Sequence, residues 1–223
     1  MPESRRHHRL RTTLFLVLHR EFAPHSTIGC DQFVYFDATD PRRCLAPDAF
    51  VKLGVPDHDF AAYLGWEEGT PEVAFEVLSP RDSPARWTFK EKLRRYRSLG
   101  VRELVCFNLD AKPGKRLRVW DRLEHDLVER VVTNERTPCL VLGLTMLVGN
   151  VGPDPIALRF ARDPAGRDLV LTPQELLAAA TAERDRAAAA RDSVAAERDS
   201  ALATIAALEK ALSRKAPKKR RRV

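Results

Sequence analysis

Two carboxylates stand where apolar neighbours are the rule, Asp48 in LAPDAFV and Glu76 in AFEVLSP. In a period-two strand Val73, Phe75 and Val77 fall on one face and Ala74, Glu76 and Leu78 on the other, so Glu76 has apolar neighbours on both sides. If the strands bearing the two acids are neighbours, their backbones run about 5 Å apart. That is close enough for both carboxylates to hold one hard divalent cation such as Mg2+, which takes a few oxygen ligands and keeps water. The backbone carbonyl of Val77 offers a further oxygen. A cation so held lowers the pKa of a bound water and neutralises charge developing on a phosphoryl oxygen. Each acid alone also has a plainer reading: Asp48 as the residue that starts a strand after Pro47, Glu76 as an edge residue facing water.

Such chemistry also calls for a cation near the attacking water. The position two residues after Glu76 is Leu78, not lysine, but a helix that follows supplies a substitute. Its apolar stripe runs Phe89, Leu93, Tyr96 and Leu99; at about 100° per residue Lys92 projects between Tyr96 and Leu99, while Lys90, Arg94 and Arg97 point away. A lysine on the sheet-facing side of a helix needs a carboxylate, because an unpaired buried charge is costly, and Glu76 or Asp48 provides one. The plainer alternative is a lysine that snorkels to water. Tyr96 reads as core, and Arg81, Arg86 and Lys90 read either as phosphate contacts or as a solvated charge run.

The elements that must position these residues are legible in part. Leu10, Leu14, Val17 and Leu18 predict an amphipathic helix over about 5–21. TIGCDQFVYF at 27–36, PDAFVKL at 47–53 and VAFEVLS at 73–79 predict three strands, rich in β-branched and aromatic residues and separated by Pro, Asp and Gly. A helix follows, with Ser83 as N-cap, Pro84 at its first position and Gly100 just past its end at Leu99, and then a strand, RELVCFN, at 102–108. The order helix, three strands, helix, strand predicts an α/β fold. Further strands are expected over 115–148, from KRLRVWD, DLVERVV and CLVLGL.

The run LAPDAFVKLGVP, then FEVLSP, then EKLRRYRSLGVRELV resembles the bacterial Uma-two family of restriction endonucleases, a branch of the PD-(D/E)XK nuclease superfamily. The likeness covers about residues 7–150 and is most specific in the ordered trio of a Pro-Asp strand, an E-V-x-S-P strand and a K-L-x-x-Y helix ending in Gly-Val. The resemblance implies a restriction-endonuclease-like core and metal-dependent phosphodiester hydrolysis. Asp48 and Glu76 would be the Mg2+ (or Mn2+) ligands, and Lys92 the migrated lysine that orients or activates water. His7 or His8 matches a histidine often found at that point. A catalytically silent module of the same fold, binding nucleic acid or a partner protein, is the alternative.

The expected domains are a nuclease domain over 1–160, a linker at 161–171, an Ala-rich helix over 172–213 and a basic tail at 214–223. Thr172, Pro173 and Glu175 form a capping-box start for that helix. Arg-Asp pairs at 184/185, 191/192 and 198/199 repeat every seven residues. The frame that puts Val194, Ala201 and Leu208 at one coiled-coil core position puts Arg184, Arg191 and Arg198 at the other until Ile205 and Leu212, so a solvated single helix and a weak homodimer seam both remain readings.

The formal charge of +7 belongs entirely to the tail SRKAPKKRRRV, whose Arg214, Lys215, Lys218, Lys219, Arg220, Arg221 and Arg222 leave the rest neutral. Polyanion binding inferred from the bulk charge is therefore assigned to that tail, with DNA the expected partner in a bacterium and nuclear import the reading in a eukaryote. The longest apolar run, CLVLGLTMLVG, is too short and interrupted to span a bilayer, so no membrane segment is expected. No small-residue cleavage site follows the basic, then apolar start, and Cys30, Cys44, Cys106 and Cys139 form no CxxC pair; reduced thiols and a cytoplasmic location are expected.

Overall fold

The computed structural model describes residues 4–78 and 88–215, with side chains through Ala211. It divides into two compact units, one ending at Gln174 and the other beginning at Glu175.

The first unit opens with α1 (Arg5–Phe22), whose first turn is capped by the Ser4 hydroxyl accepting from the His7 amide at 3.2 Å. Leu10, Leu14, Val17 and Leu18 form its buried stripe, as the spacing predicts. The stretch expected as one strand over 27–36 is two, β1 (Ser26–Gly29) and β2 (Val34–Tyr35). Between them Asp31 adopts a positive φ of 61°, a conformation that Asp tolerates better than most residues and that breaks a strand. Then come β3 (Cys44–Leu45), β4 (Ala49–Leu53), β5 (Tyr63–Leu64), the single turn α2 (Gly65–Glu68), β6 (Val73–Leu78), α3 (Phe89–Leu99) and β7 (Glu103–Asn108). The unit is completed by β8 (Leu117–Leu123), β9 (Asp126–Arg130), β10 (Arg136–Cys139), β11 (Leu144–Val151) and β12 (Asp154–Ala161).

Six strands form the main sheet in the order β1-β4-β6-β7-β8-β9. Neighbours in it are antiparallel except β6 and β7, whose parallel pairing requires a crossover, and α3 lies in that connection. Both central strands are buried on both faces and read as near-continuous apolar runs. One face is covered by α1 and by a second sheet, β10-β11-β12, with Phe75 and Phe160 in edge-to-face contact at 5.9 Å. The other is covered by α3 and by aromatic residues including Tyr63 of the small sheet β3-β2-β5.

Three expectations need correction. The described part of α3 starts at Phe89, with Thr88 as N-cap in a full capping box with Glu91, whereas Ser83 and Pro84 lie outside the described residues. Its C-terminus does fall at Leu99, with Gly100 left-handed at φ 98°. The strand β12 is absent from the sequence reading, because its pattern is broken by Asp154, Pro155 and the buried Arg159. Finally, 161–171 is tied to the core rather than free: the Arg162 amide donates to Asp168 O at 2.8 Å, the Val170 amide to Phe160 O at 2.8 Å, and Val170 is buried.

The described part of the second unit is helical, the helix α4 (Pro173–Lys215) beginning two residues before it. Its described side chains are overwhelmingly exposed, Val194, Leu202, Ile205 and Leu208 among them, and Arg184 and Arg198 pair with the adjacent Asp185 and Asp199. No described helix is long and apolar enough to cross a membrane.

Candidate active site

The antiparallel register of β4 on β6 pairs Ala49 with Phe75. One step further along, where β4 has ended and β6 continues, Asp48 falls opposite Glu76. The Asp48 side chain takes over the ladder at this point: its Oδ2 accepts the Val77 amide at 2.7 Å. Its Oδ1 faces the first turns of α1, with His7 Nε2 at 3.2 Å and the Arg11 guanidinium at 4.0 Å. Arg11 is itself paired with Asp31 at 2.8 Å.

Glu76 is 3% exposed and faces α3. Lys92 and Tyr96, four residues apart and so on one side of that helix, grip its two oxygens. Lys92 Nζ donates to Oε2 and the Tyr96 hydroxyl donates to Oε1. Beyond Glu76 the row continues across the sheet: β6 pairs Glu76 with Cys106 of β7, and β7 pairs Cys106 with Arg118 of β8. Asp48, Glu76, Cys106 and Arg118 thus follow one another across four adjacent strand ends.

The electrostatics follow from burial and from these neighbours. Burial pushes the Glu76 carboxyl above the usual range; Lys92 opposes that and the Asp48 charge reinforces it. Burial pulls the Lys92 ammonium down, but the Glu76 carboxylate outweighs it, so Lys92 is held protonated more firmly than a free lysine. The Tyr96 hydroxyl and the Cys106 thiol are both pushed far up, by burial first and Glu76 second, so both stay protonated and Tyr96 remains a donor.

The structure therefore brings Asp48, Glu76 and Lys92 together, and places Val77 beside them with its amide on Asp48. His7 lies at the site, whereas His8 is on the exposed side of α1. Tyr96 is buried, as the stripe predicts, but its hydroxyl also holds Glu76. Tyr at i+4 from the lysine is the signal for that role. Arg11 and Arg118 carry no such local signal, since only the tertiary packing of α1 and the register of β8 reveal them. Lys90 is exposed on the far side of α3. Ser79, Arg81 and Arg86, and the tail residues Lys218, Lys219, Arg220, Arg221 and Arg222, lie outside the described residues.

Among the described residues no group of three or more His, Cys, Asp or Glu side chains gathers as a metal cage. Two carboxylates are nevertheless the protein donor set that Mg2+ ordinarily takes, the rest of its shell being water and substrate oxygens. The repulsion by which Asp48 raises Glu76 is what a cation between them would relieve, so the residues present fit the ion.

Comparison with known proteins adds the family. Residues 1–149 match the Uma-two family, described as "Putative restriction endonuclease". A solved structure of a "putative nuclease belonging to DUF820" from Anabaena variabilis is 13% identical, with a TM-score of 0.45 over 64% of this chain and 75% of that one. No curated protein matches. With its family match spanning 1–149 and covering the α1, β4, β6 and α3 residues that converge on Glu76, this chain belongs to the Uma-two family of restriction-endonuclease-related proteins.

Proposed function

We propose that the chain is a metal-dependent endonuclease of restriction-endonuclease-like core, hydrolysing phosphodiester bonds in DNA, with Asp48 and Glu76 holding Mg2+ or Mn2+ and the Val77 carbonyl as a further ligand. The observation that carries this reading is the convergence on Glu76: a buried carboxylate opposite Asp48, with a lysine and a tyrosine donating to its two oxygens. A bound divalent ion would supply an activated water and charge neutralisation at the phosphoryl oxygens. The chain's own residues do the rest. Lys92, protonated and anchored on Glu76, places a positive charge where an attacking water and a phosphoryl oxygen meet. Tyr96 fixes the rotation of the Glu76 carboxylate, and the Val77 amide fixes that of Asp48. The basic tail, with Lys218, Lys219, Arg220, Arg221 and Arg222, is read as a non-specific contact to the same polyanion.

The second reading, a silent module that binds nucleic acid or a partner protein, is favoured by one observation: all four carboxylate oxygens already have a protein hydrogen-bond partner. Plasmid nicking in Mg2+ or Mn2+ separates the two. Asp48→Asn, which keeps an acceptor for the Val77 amide, and Glu76→Gln are each expected to cut more than about a hundredfold more slowly than the unaltered chain. Equal nicking by all three proteins would remove the nuclease reading in favour of the silent module.

A further inference from the structure

The row that begins at Asp48 and Glu76 does not stop at the metal-binding pair. Two strands further across the sheet it reaches Arg118, about 10 Å from Glu76 at the ordinary spacing of strands. The guanidinium of Arg118 is unusually well fixed for a half-exposed residue. It lies over the Trp120 ring at 4.6 Å and the Phe89 ring at 5.3 Å, and its Nε and Nη2 donate to Glu129 at 2.7 and 2.8 Å. Glu129 takes only one edge of the fork, and Nη1 has no carboxylate partner among the described residues.

Arg118 also lines an open cleft of about 700 Å³, together with Asn108, Gly114, Lys115 and Glu129. The cleft starts at Asn108, the residue that β7 places opposite Leu78, two residues beyond Glu76. It therefore lies past the carboxyl ends of the parallel strands β6 and β7, where open α/β sheets hold their ligands. Lys115 on its rim is exposed and pairs with no carboxylate among the described residues, and Gly114, at φ 83° with no atom within 4 Å of where a Cβ would stand, leaves its mouth open. Cys106 joins the two parts of the row, paired with Glu76 on one side and with Arg118 on the other.

We infer that this cleft is a phosphate subsite for the nucleic-acid strand, with Arg118 and Lys115 holding a backbone phosphodiester on one side of the bond being cut; this rests on the nuclease reading of Glu76. Glu129 is the counter-ion that keeps Arg118 flat on Trp120 in the absence of substrate and that competes with the phosphate for it.

The test is fluorescence anisotropy of a fluorescein-labelled DNA duplex with the full chain in EDTA, where nothing is cut, across a salt series. The paired variant Arg118→Ala, Lys115→Ala is expected to bind at least about tenfold more weakly at low salt and to lower the slope of log K against log salt by about two. Glu129→Gln, which breaks the ion pair but leaves both cations, is expected to bind more tightly. Unchanged affinity and slope in the paired variant would overturn the inference, as would Glu129→Gln weakening binding as much as the paired variant does, since an ion pair that serves only the fold responds in that way. Plasmid nicking keeps the two readings apart. A chain that binds DNA through Arg118 but never cuts retains the subsite and loses the nuclease; one that cuts with an unaltered paired variant does the reverse; one that neither binds nor cuts loses both.

Discussion

Glu76 is the residue on which the site turns, and its cost is set by what it is paired with. A carboxylate at 3% exposure is tolerable because Lys92 and Tyr96 satisfy it; removing one partner of such a pair leaves a buried charge without compensation. Lys92→Met is accordingly expected to lower unfolding free energy by about 3 kcal/mol, and the double variant Lys92→Met, Glu76→Gln to recover much of that loss because the buried charge is gone. Urea unfolding of the four corners of that cycle measures it, and independent, additive effects would mean that the two side chains do not act as a pair. How much of this was legible beforehand differs from residue to residue. The apolar alternation around Glu76 and the helical phase of Lys92 are local properties, so both could be placed from the sequence. The hydroxyl of Tyr96 could not, because a tyrosine in an apolar stripe is usually there for its ring. Arg11 reaches the site through the packing of α1, far from Asp48 in sequence, and Arg118 joins its row through the register of β8 on β7, neither of which a local pattern encodes.

At the scale of elements, α3 is the part that must be held most accurately, since one helix supplies both donors to Glu76. Its ends are fixed by chemistry rather than by length. Thr88 and Glu91 exchange hydrogen bonds at the start, and Gly100 turns left-handed at the finish. Thr88→Ala removes the capping box and is expected to cost about 1 kcal/mol of stability, read as a shift of the denaturation midpoint without a change of slope. A loss within error would show that α3 is placed by packing alone. The same helix shows why boundaries were harder to read than faces. Ser83-Pro84 and Thr88 with Glu91 are both acceptable starts, and spacing alone does not choose between them. The strands β1 and β2 read as one because both halves are rich in β-formers, and the break rests on the backbone of one residue, Asp31. The strand β12 is hidden in the sequence for the opposite reason: its charged residues, Asp154 and Arg159, look like loop residues but are buried in company, Asp154 with Arg9 and Arg6, Arg159 on the Asn150 carbonyl.

For the molecule as a whole, charge and fold are separately located. The net charge of +7 sits in the last eleven residues, while the chain before them is formally neutral. Removal of residues 214–223 is therefore expected to reduce the salt dependence of DNA binding by several charges' worth of slope, and to leave metal-dependent nicking at low salt in place. An unaltered salt slope after that truncation would assign the affinity to the first unit instead. Within that unit one face of the main sheet is closed by elements from opposite ends of the unit, and the other by α3 and the small sheet between them. On the first of these α1 packs on β12, with Arg9 held by Asp154.

That last contact has a consequence for biosynthesis. Of the elements described, α1 is translated first, yet its partners on β12 and at Val170 are among the last of the unit to be made. Its stripe of Leu10, Leu14, Val17 and Leu18 can pack on β1, β4 and β6 early, but the side that meets β12 and Val170 waits uncovered until then. A nascent chain halted before β12 is thus expected to present that uncovered side of α1 to chaperones, although the contacts of His7 and Arg11 with Asp48 come from residues already made.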